Sequence, residues 1–200
     1  LACSAQKDVP VTAHADSFLK IEVEEDIGPK TKGYYCSVIA ILMLFLQLSK
    51  DDSEKWISKI LGTIDVIPDI AKTTKQWYES EKEELKRFKN IIVIGYDKCL
   101  PAATEGALKI LETVQCCVRY YELEEFMHGI YHGIDKSTLI LALGNQSRHL
   151  NRMVRLLGYL KEHKNATTYL ISQNKVTEHD FSYPFIEDSL FVSFEYLTVL

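Results

Sequence analysis

The 200 residues contain no Cys-x-x-Cys pair, no clustered basic stretch and only five prolines. Each scarcity narrows what the chain does. The five cysteines (Cys3, Cys36, Cys99, Cys116 and Cys117) are an odd set with one adjacent pair. That argues against a disulfide framework and for reduced thiols in a cytosolic protein. Lys and Arg number 23 against 28 acidic residues, a net charge of −5, and the cations are scattered. A nucleic-acid partner, which needs a clustered basic face, is therefore not expected. The densest charged run, Glu79 to Lys89, alternates in sign and reads as a solvated helix face. The most apolar run, Val38 to Leu48, is too short for a bilayer and carries Gln47, so no membrane span is expected.

What is present suits a packed α/β protein. At 46% hydrophobic the chain has enough apolar material for one or two small domains. Val9–Thr12 and Ser17–Glu22 read as short strands. Thr31–Leu48 reads as a buried helix, with Tyr34, Val38, Leu42 and Phe45 at helical steps. Two amphipathic helices follow, Asp51–Thr63 and Asp65–Phe88, with starts marked by Asp51-Asp52-Ser53 and by Pro68. From Asn90 the order is strand (Ile91–Ile94), helix, an extended segment with a short helix, strand (Thr138–Leu143), helix (Ser147–His163) and strand (Thr167–Ser172). Such alternation predicts a parallel sheet with helices on both faces. Ligands in such folds sit at the carboxyl ends of the strands, where Gly95 and Gly144 fall. Asp188–Leu200 is ambiguous between helix and strand by periodicity.

The stretch from Ile91 to Gly133 carries the chemistry. On a helix, Glu105, Lys109 and Glu112 share one polar stripe, leaving Leu108, Leu111 and Val114 as the expected buried side. Close behind comes Glu125-Phe126-Met127-His128-Gly129. Two carboxylates, an ammonium and a histidine are the parts for proton transfer on a sugar. Taken singly, each has a plainer reading. Glu112 is then the ion-pair partner of Lys109, His128 a histidine held by a backbone carbonyl, and Arg148 and His149 surface residues. His128 and His132, four apart, would make half of a metal site, but no third ligand is placed.

Glu105-Gly106-Ala107-Leu108-Lys109-Ile110-Leu111-Glu112, followed by Glu124-Glu125-Phe126-Met127-His128-Gly129-Ile130, resembles the sugar isomerase (SIS) family. That family's pattern is Glu-Gly-Ala-Leu-Lys-x-x-Glu, then Gly-Glu-x-x-His-Gly-Pro. Thr31-Lys32-Gly33-Tyr34 and Gly144-Asn145-Gln146-Ser147-Arg148-His149 add to the likeness, the second in the manner of the fructosamine 6-phosphate deglycases. Glu124 and Ile130 depart from the pattern, and no Ser-x-Ser-x-x-Thr phosphate loop occurs. With Leu1 as its first residue and Leu200 as its last, the chain reads as an internal piece of a longer protein. The expected division is 1–50 as the end of a first SIS subdomain, 51–88 as linking helices, and 89–200 as most of a second.

The resemblance implies a three-layer α/β/α fold with a parallel sheet, part of a tandem pair of subdomains, with residues 188–200 helical. It implies aldose–ketose isomerisation, or deglycation of a fructosamine 6-phosphate, without metal or cofactor. Glu112 would be the base, Lys109 its neighbour, and His128 the group that assists ring opening or protonates the departing group. Glu105, Glu125, Gly28 and Lys30 are the expected substrate-binding residues, and the partner is a small sugar phosphate. In this family the histidine often comes from a neighbouring subunit, which implies a homodimer. The alternatives are a glucosamine-6-phosphate synthase-type isomerase and a non-catalytic phosphosugar sensor; sensors generally lack the Glu-x-x-x-Lys-x-x-Glu set.

Overall fold

A computed structural model describes residues 1–23, 28–49, 53–186, 196 and 198–200. The chain divides into two compact units, Leu1–Ile64 and Asp65–Leu200.

In the first unit, β1 (Ala2–Ser4) pairs in parallel with β2 (Phe18–Lys20), Ala2 opposite Phe18. The expected strand at Val9–Thr12 is instead a turn. Pro10 offers no N–H to a ladder, and Thr12 folds back on Val9 through its amide (2.9 Å) and its hydroxyl (2.7 Å). α1 (Thr31–Leu48) has the expected bounds but not the expected burial, because none of its residues is buried. The helix is also longer than the Val38–Leu48 run suggested. Among the described residues it is the one helix long and apolar enough, by length and composition, to cross a membrane.

α2 (Ser53–Leu85) is one helix where two were expected, and Pro68 lies inside it rather than at a start. A proline there cannot bond to the carbonyl four residues back, which is Ile64. The boundary between the two units falls directly after Ile64. Asp51 and Asp52 lie outside the described residues.

The second unit is built on a parallel sheet. β3 (Asn90–Gly95), β4 (Cys117–Glu122), β5 (Thr138–Leu143), β6 (Thr167–Ser172) and the short β7 (Phe181–Ser182) lie in the order β4-β3-β5-β6-β7. Every neighbouring pair is parallel, with Ile91 opposite Val118 on one side and Leu139 on the other. β3 and β5 are almost wholly buried, which accounts for their unbroken aliphatic sequences. The chain steps from β3 out to β4, then crosses back over β3 to β5. Right-handed crossovers in opposite directions place their helices on opposite faces. α3 (Leu100–Val114) therefore covers one face. α4 (Leu123–Met127), the turn Ile130–Gly133 and α5 (Leu150–Lys164) cover the other.

Side-chain parity agrees. Ile92, Ile94, Ile140, Ala142 and Leu170 share a core with Leu123, Phe126, Met153, Leu156, Leu157 and Leu160. A Cβ at Gly95, on the opposite parity, would meet Cys99 and Ala103 at the start of α3. From Asp65 onward α2 also packs on the α3 face. The Trp77 ring meets Tyr169 and Phe181 edge-on at 5.5 and 5.7 Å, and Tyr183 donates its hydroxyl to Asp69 at 2.8 Å. The strands expected at 91–94, 138–143 and 167–172 thus lie in one sheet, each next to another of the three. Of the expected final helix, 188–195 and 197 lie outside the described residues, while Tyr196, Thr198 and Val199 are helical.

Candidate functional site

α3 begins where Pro101 can sit without losing an intrahelical bond, and it ends at Gln115 in the left-handed conformation (φ 54°). Its buried residues are Ala102, Ala103, Gly106, Ala107 and Ile110. Leu108, Leu111 and Val114, the expected buried side, are instead 42, 47 and 50% exposed. Small side chains allow close approach to a neighbour, so the helix turns its small face inward and its large aliphatic residues outward. Gly106 shows how close the contact is: a Cβ there would lie 2.3 Å from the Leu200 side chain.

The polar stripe runs between these two apolar sides. Lys109 Nζ lies 3.2 Å from Glu105 Oε1 and 2.8 Å from Glu112 Oε2. The exposure of the side chains is graded, at 17% for Glu105, 11% for Lys109 and 36% for Glu112. Burial disfavours the charge on Lys109, but its hydrogen bonds to Glu112 and Glu105 prevail and its pKa is raised. The spacing of the three residues thus does bring them together, as one lysine held by two carboxylates. Glu112 is the member that reaches solvent most freely.

His128 is elsewhere. β4 ends at Glu122, whose carboxylate caps α4 by accepting the amides of Glu124 (2.6 Å) and Glu125 (3.2 Å). His128 is the exposed C-cap of this five-residue helix, and its amide donates to Glu125 O at 3.1 Å. Glu125 is exposed beside it. Gly129, at φ 145°, ends the helix, so His132 does not sit one turn from His128 and the pair does not share a helical face. Glu124, which departs from the SIS pattern, is occupied by Arg152 of α5 at 2.7 Å. Ile130, the other departure, packs against the core of the α5 face.

Topology separates His128 from Glu112. Glu112 is twelve residues beyond the start of α3, about 18 Å along a helix running back toward the amino ends of the strands. β4 then returns across the sheet before α4 begins at the carboxyl ends. Glu112 and His128 therefore lie toward opposite ends of the strands and on helices covering opposite faces. Gly28, at φ 86°, and Lys30, which precedes α1, are both exposed and belong to the other compact unit.

The strand order reverses between β3 and β5, where such folds open a crevice for ligands. Here Tyr96 fills it, donating its buried hydroxyl to Asn145 O at 2.8 Å, and Tyr196 donates to Gly144 O at 3.0 Å. Sequence reasoning marked Gly95 and Gly144 but passed over both tyrosines. Nothing in their spacing distinguishes them from other aromatic core residues.

Residues 84–178 match the SIS domain family. Among curated relatives, glutamine–fructose-6-phosphate aminotransferase [isomerizing] of Wigglesworthia glossinidia brevipalpis is 26% identical over 151 residues, covering 73% of this chain and 24% of that protein. The protein of the same name from Saccharomyces cerevisiae is 28% identical over 165 residues, or 77% of this chain and 22% of that one. A Clostridium difficile 630 protein provisionally assigned as a phosphosugar isomerase superposes with a TM-score of 0.82 at 27% identity, covering 98% of this chain and 56% of the other. A Salmonella typhimurium LT2 protein provisionally assigned as sugar binding gives 0.80 at 27% identity, covering 98% and 61%. The chain spans about a quarter of the length of the curated relatives it matches.

Proposed function

We propose, from the match of residues 84–178 to the SIS domain family, that the chain is part of a phosphosugar enzyme moving a proton between C1 and C2 of its substrate. The substrate is a ketose or fructosamine 6-phosphate, and the chemistry is isomerisation or deglycation through an enediol or enolamine. One observation carries the reading: Lys109 is held by Glu105 at 3.2 Å and Glu112 at 2.8 Å, with Glu112 the more exposed carboxylate. A carboxylate with one side on a largely covered ammonium and the other open has an acceptor oxygen free for a substrate proton. Glu112 is the base, and Lys109 orients it and supplies positive charge where the enediolate oxygen develops. Glu105 holds Lys109 in place.

His128 opens the ring or protonates the departing amine, at a second site. The separation of Glu112 and His128 across the sheet supports an assembly in which each histidine serves a neighbour's glutamate, hence a homodimer of tandem subdomains. Gly28, Lys30 and Glu125 are assigned to sugar contacts. Deglycation is favoured over the synthase-type isomerisation by the resemblance of Gly144–His149 to the deglycase loop. The sensor alternative is disfavoured by the intact Glu-x-x-x-Lys-x-x-Glu set.

The test uses the full-length protein. Glu112→Gln keeps shape and one acceptor but cannot take a proton. Turnover of fructose 6-phosphate or a fructosamine 6-phosphate, followed by proton NMR, should fall about 10² to 10⁴-fold with substrate binding retained. Wild-type turnover by this variant would remove Glu112 from the base role, and equal loss of binding and turnover would make it a binding residue only.

A further inference from the structure

On the face of the sheet away from Glu105, Lys109 and Glu112, a cavity of about 610 Å³ opens between α5 and the α4–turn segment. Its size falls within the range of small-molecule sites. Its walls combine apolar and aromatic groups (Met127, Leu156, Tyr131 and Tyr159) with Arg148, Asn151, Arg152 and Arg155. Arg152, Arg155 and Tyr159 step by three and four, which places them on one stripe of α5, and Arg148 lies in the turn just before the helix. The sequence reading noticed Arg148 alone, as a surface residue.

The three guanidinium groups are not equivalent. Arg152 is neutralised, with Nε and one terminal nitrogen each 2.7 Å from the Glu124 carboxylate. Arg148 has only its Nε engaged, on His149 at 3.1 Å, which leaves its terminal nitrogens available. Arg155 has no hydrogen bond or ion pair among the described residues. Among the described residues no acidic side chain lines the cavity, so two positive charges face it uncompensated, in a chain whose net charge is −5. Tyr131 and Tyr159 meet edge-on at 6.0 Å, a stiff aromatic wall along the same groove.

Forked guanidinium donors match oxyanions with two or more acceptor oxygens, and phenol rings cover planar apolar surface. We propose that this groove binds a small organic dianion, its charged group held by Arg148 and Arg155 and its planar body laid against Tyr131 and Tyr159. A phosphate ester and a dicarboxylate share this chemistry. Met127 lines the groove and is bonded directly to His128, so an occupant would sit one residue from the group assigned to proton delivery. The site does not depend on the proposed reaction, since none of its residues lies on α3.

The experiment is titration of the full-length protein with phenyl phosphate, with phthalate and with uncharged benzyl alcohol, followed by calorimetry and by amide shifts of Tyr131, Asn151 and Arg155. Saturable binding of phenyl phosphate or phthalate, and none of benzyl alcohol, is expected. Which anion binds more tightly identifies the ester or the carboxylate as the natural class. Arg155→Gln and Arg148→Gln should each weaken binding by about tenfold or more, the scale of one charge-assisted hydrogen bond. Both positions are exposed, so neither variant threatens folding. Glu112→Gln should leave this affinity unchanged while losing turnover, which separates the groove from the reaction. Affinity untouched by both arginine substitutions, affinity lost with Glu112→Gln, or no saturation by either anion would overturn the proposal.

Discussion

The two faces of the sheet are packed by opposite strategies. On the α5 side, large aliphatic and aromatic residues such as Phe126, Met153, Leu156, Leu157 and Leu160 fill the space, and the outward stripe is polar. On the α3 side, alanine and glycine face inward and leucine and valine face outward, with the charged cluster between them. The first is the pattern of a helix that buries one apolar side. The second is that of a helix with two apolar sides, one of them exposed. The Glu105–Lys109–Glu112 cluster therefore sits beside an exposed apolar strip of Leu108, Leu111 and Val114.

The strongest test of this contrast is truncation within each core. Phe126→Ala removes a fully buried ring and should cost about 3–5 kcal/mol, against about 2 kcal/mol for Ile110→Ala on the α3 side, read from urea unfolding. Equal losses would mean that the α3 layer carries as much of the core as the α5 layer.

A pair of glycines sharpens it. Gly106→Ala pushes a methyl into Leu200 and should destabilise by about 1–3 kcal/mol. Gly158 lies inside α5 with nothing within 4 Å of a new Cβ, so Gly158→Ala should stabilise by about 0.5–1 kcal/mol. The same substitution in two helices thus has opposite signs. A neutral or stabilising Gly106→Ala would show that Leu200 yields at no cost.

Lys109 adds a pH signature. Its folded pKa is raised, so its contribution is fully present below lysine's ordinary value of about 10.4 and is lost as pH rises through the higher folded value. Wild-type protein should lose stability over that alkaline range, and Lys109→Met should lose less over the same interval. Parallel curves for the two would remove the carboxylate pairing as a stabilising contact.

The smallest effect is expected at the outward strip. Leu111→Ser should change the unfolding free energy by no more than about 0.5 kcal/mol, while weakening self-association of the full-length protein in sedimentation. A loss well above that in stability alone would mean that Leu111 is already packed within its own unit.

These contrasts also show where the sequence was legible. Thr138–Leu143 stands at its expected bounds because a strand buried on both faces writes itself as a continuous apolar run, and Thr167–Ser172 does so around its buried Tyr169-Leu170-Ile171. Glu105, Lys109 and Glu112 meet because spacing on a helix fixes neighbours. The burial of α3 was misread because hydrophobicity was taken as a guide to the inward side, whereas close approach selected small residues. Pro68 was misread because a proline inside a long helix looks locally the same as a proline at a start. The groove on α5 went unseen since its second wall comes from residues seventeen or more positions earlier in the chain.

Tyr96 and Tyr196 give the molecule a locked seam. Each phenol hydroxyl closes on a carbonyl of Gly144–Asn145, the segment that launches α5. In terms of motion, that segment cannot swing away without breaking two bonds at once, and the amide of Gly144, itself bonded to Ile171 O, is sewn in with it. Amides here should be among the slowest to exchange with deuterium in the second unit.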